Sequence, residues 1–330
     1  MVPSHPGQSD SASIRDCALR TPACAGAIQL VHPNHSRHLI GWRLKHRTWG
    51  QAVIPRLIKL LISCVVFCRD YVVRIFDRGR APGTCVVINY HALHEQNAEQ
   101  FVRQMDVLQD LTRPISLSSV EALEPGVRYV SITFDDAFRS FKKWAMPELA
   151  RRRVPVMVFV PTGYLGKKSA WFDYGGENLV GEEVMSMEEL KEIAASEIME
   201  IGSHCITHPN LVQLSEGEAR LELQESRKSL QAMLGKQIDS VSFPYGSAME
   251  RELMLAREAG YRFMFSTTPQ VLVSKVKSGL VGRVNVQPTD WPLEFRLKIL
   301  GAYRWQSVAS AWKGKFWKRG PLSATVERFV

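Results

Sequence analysis

Paired cysteine is the first thing this sequence does without. Its six cysteines, Cys17, Cys24, Cys64, Cys68, Cys85 and Cys205, form no CxxC pair and no regular framework. That excludes a thiolate zinc knuckle and a disulfide-stapled scaffold, and it fits a reducing compartment. A bilayer-spanning run is missing too. From Pro55 to Asp77 the chain is strongly apolar, yet Arg56, Lys59, Arg69, Asp70 and Arg74 leave Leu60–Cys68 as the uncharged stretch, too short to cross a membrane. Residues 1–50 are rich in Ser, His, Pro and Arg and lack the continuous apolar core of a secretory signal, so a disordered extension is expected there. No internal repeat or low-complexity tract competes with a globular reading, and no histidine follows His208.

What is present suffices for a large folded domain. The 330 residues are 45% hydrophobic, ample for a core without covalent staples. The formal charge of +9 suits an anionic partner. The basic residues are scattered and gather partly at the two ends, which favours a membrane surface or an acidic polymer; no nucleic-acid partner is expected. Residues 51–80 read as one amphipathic helix, suited equally to lying in a membrane interface and to packing on the domain that follows. Without a cleavable signal, the expected location is the cytoplasm or the cytoplasmic face of a membrane.

From Ala81 the pattern becomes short β-branched runs alternating with amphipathic segments, the order that builds parallel sheets. Strands are expected at 85–90, 129–134, 156–160, 199–203, 240–243, 263–266 and 283–286. Helices are expected at 99–111, 138–152, 186–195, 216–234 and 248–259, the last closed by Gly260. The fold class is therefore α/β, a distorted (β/α) barrel of about seven parallel strands with surrounding helices. It spans residues 81–290 and is preceded by the extension and the amphipathic helix. Residues 291–330 read as a basic tail whose Trp305, Trp312 and Trp317 cover the barrel, meet a membrane interface or stack on sugars, the first being the default.

Three strand ends concentrate polar residues, and carboxyl ends of barrel strands are where catalytic groups converge. The first expected site is the acidic pair Asp135 and Asp136. Adjacent carboxylates repel unless neutralised, and a divalent cation on one leaves the other ionised as a base; capping of the next helix is an equally good reading of the pair alone. The second is GSHCITHPNL, where His204 and His208 stand four apart, a spacing that suits chelation. Together the motifs supply two histidines, one aspartate and an open water position, the set of a hydrolytic metal site. The third, SFPYG at 242–246, reads either as a tight turn or as a loop whose Tyr245 backbone N–H is an oxyanion donor.

These elements, in this order, resemble the polysaccharide deacetylase family, also called the NodB-homology domain or carbohydrate esterase family 4, over roughly Val86–Val286. ITFDDAF is similar to its first motif, with Asp135 in the catalytic-base position and Asp136 in the metal-ligand position. HCITH resembles the second, in which His204 and His208 complete the metal triad, and FPYG resembles the third, with Tyr245 supplying the oxyanion amide. There are departures. Ala137 stands where Gly is usual, Cys205 where Ser or Thr is usual, and Ser242 where an Arg usually orients the catalytic Asp. Arg283, opening RVNV, looks like the Arg-Ile-x-Val segment of the exopolysaccharide-deacetylase branch and is the substitute expected for that Arg. Tyr90-His91 resembles the Tyr-His motif of the same branch, which assigns the general acid to His91. Trp171–Asp173 resembles an aromatic stretch that lines the sugar groove, with core packing of Trp171 as the alternative.

The resemblance implies a metal-dependent hydrolase, with zinc the expected divalent ion. It would remove N-acetyl groups from an N-acetylated polysaccharide or oligosaccharide, an exopolysaccharide or its lipid-linked precursor, with a peripheral membrane contact as a further partner. The competing readings are a glycan O-acetyl esterase on the same site and an inactive glycan-binding protein of the same fold, the latter motivated by the serine at 242.

Overall fold

The computed structural model describes residues 49–77, 81–117, 123–171, 179–273 and 279–309. Val53–Val330 forms one compact unit, and apart from the first turn of the opening helix the described residues lie within it. The extension expected over residues 1–50 lies outside the described residues except for 49 and 50, which open helix α1 (Trp49–Phe76).

The strands are β1 (Thr84–Tyr90), β2 (Arg113–Pro114), β3 (Arg128–Phe134), β4 (Val156–Val160), β5 (Met199–Ser203), β6 (Ser240–Ser242), β7 (Phe263–Ser266) and β8 (Gly279–Asn285). All pairings are parallel. β3 through β8 follow one another in space and β8 and β3 both pair with β1, so seven strands close a ring, with Cys85 opposite Tyr129 and Val87 opposite Arg283. The two-residue β2 lies outside that ring, against the start of β3. It was not expected from the sequence, because two residues carry no period. The barrel is distorted at the β5–β6 seam, where Ser203 and Val241 are the one paired position.

The apolar strand runs alternate inward and outward. Val86, Ile88, Val130, Ile132 and Val158 face the surrounding helices, whereas Cys85, Val87, Tyr129, Phe159, Phe265 and Val281 fill the barrel interior. Gly202 is needed on β5, since a Cβ there would collide with the Phe159 ring that fills the interior.

Helices α2 (Ala98–Leu111), α3 (Met146–Arg151), α4 (Met187–Ala194), α5 (Glu216–Leu234), α6 (Glu250–Glu258) and α7 (Pro292–Ile299) form the outer layer. Ser186 with Glu189 and Ser215 with Glu218 form capping boxes that start α4 and α5, and Gly235 in the left-handed region ends α5. The helix expected over 138–152 is interrupted by a π-turn at Phe141–Ala145, directly beyond the acidic pair. The boundary expected at residue 290 is no structural break. Phe295, Leu297 and Ile299 of α7 are buried in the main core, and Glu294 and Lys298 join Asp290 in an ion cluster that neutralises the charges hiding this helix in the sequence. Trp305 bonds to Ser63 of α1, while Trp312 and Trp317 lie outside the described residues.

Candidate metal centre and active site

The upper interior layer of the barrel is polar, and one cation organises it. Arg283 comes from β8, is fully buried, and donates from Nη1 to Asp135 Oδ1 at 2.7 Å and from Nη2 to Asp135 Oδ2 at 2.8 Å, a bidentate pair. Its remaining donors reach Asn89 Oδ1 (2.9 Å), Thr133 Oγ1 (3.1 Å), Ser242 Oγ (2.7 Å) and the Ser266 carbonyl (3.3 Å). The guanidinium also lies 5.4 Å and 5.8 Å from the ring centres of Phe159 and Phe265 below it. Asn89 donates to Asp135 Oδ2 at 3.1 Å, so it bridges the guanidinium and the carboxylate. Burial pushes the Asp135 carboxyl up, but the Arg283 charge and its hydrogen bonds, with the neighbouring histidines, override it and hold the carboxyl well below the usual carboxylate range. Asp135 is thus a buried anion kept ionised. Serine at 242, on β6, leaves the space that the Arg283 side chain enters from β8, two strands away.

Asp136 turns the other way, toward the loop after β5. His204 Nε2 and His208 Nε2 lie 3.6 Å and 3.4 Å from its Oδ1, and one ligand atom from each of the three residues falls within 4.8 Å of the others, all buried. His204 Nδ1 lies 2.8 Å from the Ser242 carbonyl, an acceptor, which fixes the proton on Nδ1 and leaves the Nε2 lone pair toward Asp136. Burial is the main cause pulling His204 down to about 4 and His208 down to about 2, so both imidazoles are neutral at ordinary pH. Two neutral imidazoles and a carboxylate converging on one point are a donor set that fits zinc, and the three residues fit the ion that the sequence motifs imply.

The loops that present these groups are strained. Asp136, Ala137, Cys205, His208 and Tyr245 all have positive φ, between 50° and 70°, leaving Arg153 as the one non-glycine with this conformation elsewhere among the described residues. Such backbone costs of order 1 kcal/mol or more per residue and persists where surrounding contacts enforce it. For the histidine loop that contact is Glu222 of α5, whose carboxylate accepts from Ile206 N (2.7 Å), Thr207 N (3.0 Å) and Thr207 Oγ1 (2.6 Å). Cys205 is fully buried and burial pushes its thiol well above its ordinary range, so it is packing rather than a nucleophile.

His91, beyond β1, places Nε2 4.0 Å from Asp135 Oδ2. Tyr245 sets its ring edge-on to His208 with centroids 4.8 Å apart. Trp171 stacks flat on His208 at 4.2 Å and is nearly buried, so it braces a histidine instead of facing a groove; the following Phe172 and Asp173 lie outside the described residues. His91, Asp135, Asp136, Trp171, His204, His208, Tyr245 and Arg283 therefore gather at one end of the barrel. Sequence reasoning missed Asn89, Thr133 and Glu222. The first two were detectable as polar residues at inward positions of otherwise apolar strands, where a partner is obligatory; nothing in the sequence marked Glu222.

Residues 122–264 match the family model for polysaccharide deacetylases. Over those residues the chain is similar to the polysaccharide deacetylase family. Proteins of that family are hydrolases. YxkH of Bacillus subtilis, whose name assigns it to the polysaccharide deacetylases, is 26% identical over 218 residues, 63% of this chain and 73% of its own length. The poly-beta-1,6-N-acetyl-D-glucosamine N-deacetylase of Staphylococcus aureus is 25% identical over 167 residues, which are 48% of this chain and 54% of that one. The chain thus spans about half the length of the staphylococcal relative. Among solved structures, IcaB from Ammonifex degensii aligns with a TM-score of 0.53 at 24% identity, over 68% of this chain and 98% of its own. Streptococcus pyogenes PplD, a deacetylase solved with acetate, aligns with a TM-score of 0.54 at 20% identity, over 66% and 99%. At those identities the two structures bear on the fold alone.

Proposed function

We propose that this chain is a metal-dependent polysaccharide deacetylase that removes N-acetyl groups from an amino-sugar polymer, an exopolysaccharide or its lipid-linked precursor. The observation that supports it best is the buried Asp136–His204–His208 convergence beside a carboxylate held ionised by Arg283. Asp136, His204 and His208 would hold a divalent ion, zinc by the chemistry of the donors, which would supply a Lewis acid for the acetyl carbonyl and a lowered pKa for water there. Asp135 takes the proton of the attacking water; as a carboxylate charge-paired with Arg283 it is ionised at every working pH. The Tyr245 N–H donates to the oxyanion that forms on the former carbonyl oxygen. His91, within 4.0 Å of Asp135, protonates the amine nitrogen as its bond to the acyl carbon breaks, giving acetate and the free amino sugar. The silent-binder reading loses its motive, because the guanidinium expected at position 242 is supplied by Arg283. The name of the staphylococcal relative, an N-deacetylase, favours the N-acetyl over the O-acetyl reading.

The test is acetate release from N-acetylglucosamine oligomers, with chelator and then zinc, beside two variants. Zinc-restored release is expected. His208→Ala should lose both the metal and turnover, whereas Asp135→Asn should keep the metal and fall by about 100-fold to 10,000-fold in kcat. Undiminished turnover in Asp135→Asn would remove it from the base role.

A further inference from the structure

Helix α1 is apolar on both its inward and its outward side. Leu60, Cys64, Val66 and Phe67 pack against the core, and with about 100° of rotation per residue Arg56, Ser63, Asp70 and Arg74 also face the barrel. Each is tied to the domain. Arg56 pairs with Glu294 and bonds to the Thr289 carbonyl, Ser63 accepts from Trp305 Nε1 at 2.9 Å, Asp70 pairs with Arg304, and Arg74 bonds to the Gly126 carbonyl at 2.7 Å. The outward stripe is apolar: Ile54, Leu61, Val65, Val72, Ile75 and Phe76 fall within one face, with Leu61 66%, Val65 70% and Phe76 80% exposed. Of the twenty-one large apolar side chains exposed among the described residues, eleven are on this helix. A soluble surface helix turns a polar face outward, and an apolar stripe of this length marks a surface that meets something other than water.

Charge chooses the occupant. On the exposed side of α1 the charged residues are Lys59 and Arg69, both basic, because the helix's single acid is used by Arg304. Beside the stripe, Arg69 and Arg304 line a groove of about 620 Å³ together with Val66, Gln270, Val271 and Trp305. An apolar stripe edged by cations, with an indole and two guanidinium groups alongside, complements the acyl and anionic headgroup layers of a bilayer. We propose that the outward face of α1 lies in the surface of an anionic membrane. No described helix is long and apolar enough to cross one, so the attachment is peripheral. Arg56 reaches residues beyond the carboxyl end of β8 and Arg74 reaches the turn before β3, so the helix runs antiparallel to the strands. The catalytic end of the barrel therefore opens along the membrane plane, within reach of a polymer held there.

The experiment is vesicle co-sedimentation of the full chain, a readout independent of catalysis. It uses phosphatidylcholine vesicles with and without about 30 mol % phosphatidylglycerol. The chain is expected to pellet with the anionic vesicles. The neutral triple variant Leu61→Gln/Val65→Gln/Val72→Gln, at exposed positions, should bind at least about tenfold more weakly with an unchanged unfolding midpoint. Lys59→Gln/Arg69→Gln should weaken binding about tenfold on anionic vesicles only and flatten its salt dependence. Wild-type protein that stays in the supernatant with both vesicles would overturn the proposal, whether a second copy or residues 1–48 cover the stripe. So would triple-variant binding equal to wild type.

Discussion

Asp135 and Asp136 are neighbours in sequence and opposites in surroundings. Asp135 faces a permanent cation that contacts both of its oxygens, and the side chains around that cation are bonded to it in turn. Asp136 faces two imidazoles that burial keeps neutral. One carboxylate is neutralised by the protein's own chain, and the other sits among lone pairs that suit an added cation. Adjacent residues point oppositely because the left-handed φ of Asp136, 70°, turns the chain sharply after β3. The lesson is that a motif of two identical residues divides its labour through backbone conformation, not through side-chain chemistry.

Removing the cation from the Asp135 half should have the largest effect. Arg283→Met leaves a buried carboxylate beside Asn89 and Ser242 without its charge partner, and should lower stability by about 3–5 kcal/mol in chemical denaturation and abolish acetate release. Arg283→Lys keeps a charge but loses the bidentate geometry, so it should recover stability more than turnover. Equal effects of the two variants would mean that the charge alone recovers nothing, whereas wild-type turnover in Arg283→Lys would mean that charge, and not bidentate orientation of Asp135, is what the guanidinium provides.

The Asp136 half should respond to pH instead. His204 and His208 titrate below their ordinary value of 6.5 in the folded chain, at about 4 and about 2. Between about pH 4 and 6.5 the unfolded chain therefore holds more protons than the folded one, and stability rises with pH in that window. Metal-free protein should lose on the order of 1–2 kcal/mol per histidine on going from pH 7 to pH 5, read as a falling unfolding midpoint. His208→Gln should remove about half of that dependence. Asp135, with its pKa depressed, loses its stabilising contribution only at still lower pH and does not mask the effect. A flat profile in the metal-free protein would mean that these imidazoles are not held neutral by burial.

Asn89 tests how far the Asp135 half depends on parts other than its cation. Asn89→Ala removes one acceptor for Arg283 and one donor to Asp135, and should cost about 1–2 kcal/mol in kcat/KM with KM nearly unchanged. A loss confined to stability, with turnover intact, would make Asn89 a packing residue rather than one that positions the base.

The unequal legibility of the two halves has a physical cause. The seven ring strands were readable because parallel barrel strands are buried on both faces and appear as apolar runs, and the convergence of Asp136, His204 and His208 could be anticipated because the spacing is local within each loop. The Arg283 network was only partly so. Its partners are 148 and 194 residues apart for Asp135 and Asn89, and only ring closure brings β8 against β1. The π-turn after β3 and the Glu222 clamp likewise depend on tertiary contact. For α1 the periodicity gave an amphipathic helix, but periodicity says nothing about which face meets the protein. Ion pairs with Glu294 and Arg304 decided that.

The finest probe of the Asp136 turn is Ala137. Its φ of 50° lies where a Cβ is unfavourable, at the position where glycine is the residue the family motif leads one to expect. Ala137→Gly relieves that conformational cost of about 1–2 kcal/mol but gives the unfolded chain more freedom, worth about 0.5–1 kcal/mol in the opposite direction. A small net gain of about 0.5–1 kcal/mol in denaturant stability is expected, with metal affinity unchanged. If metal affinity falls instead, the methyl of Ala137, fully buried in the main core, is holding the Asp136 carboxylate in place, and the strain at this turn serves the site rather than merely being tolerated by it.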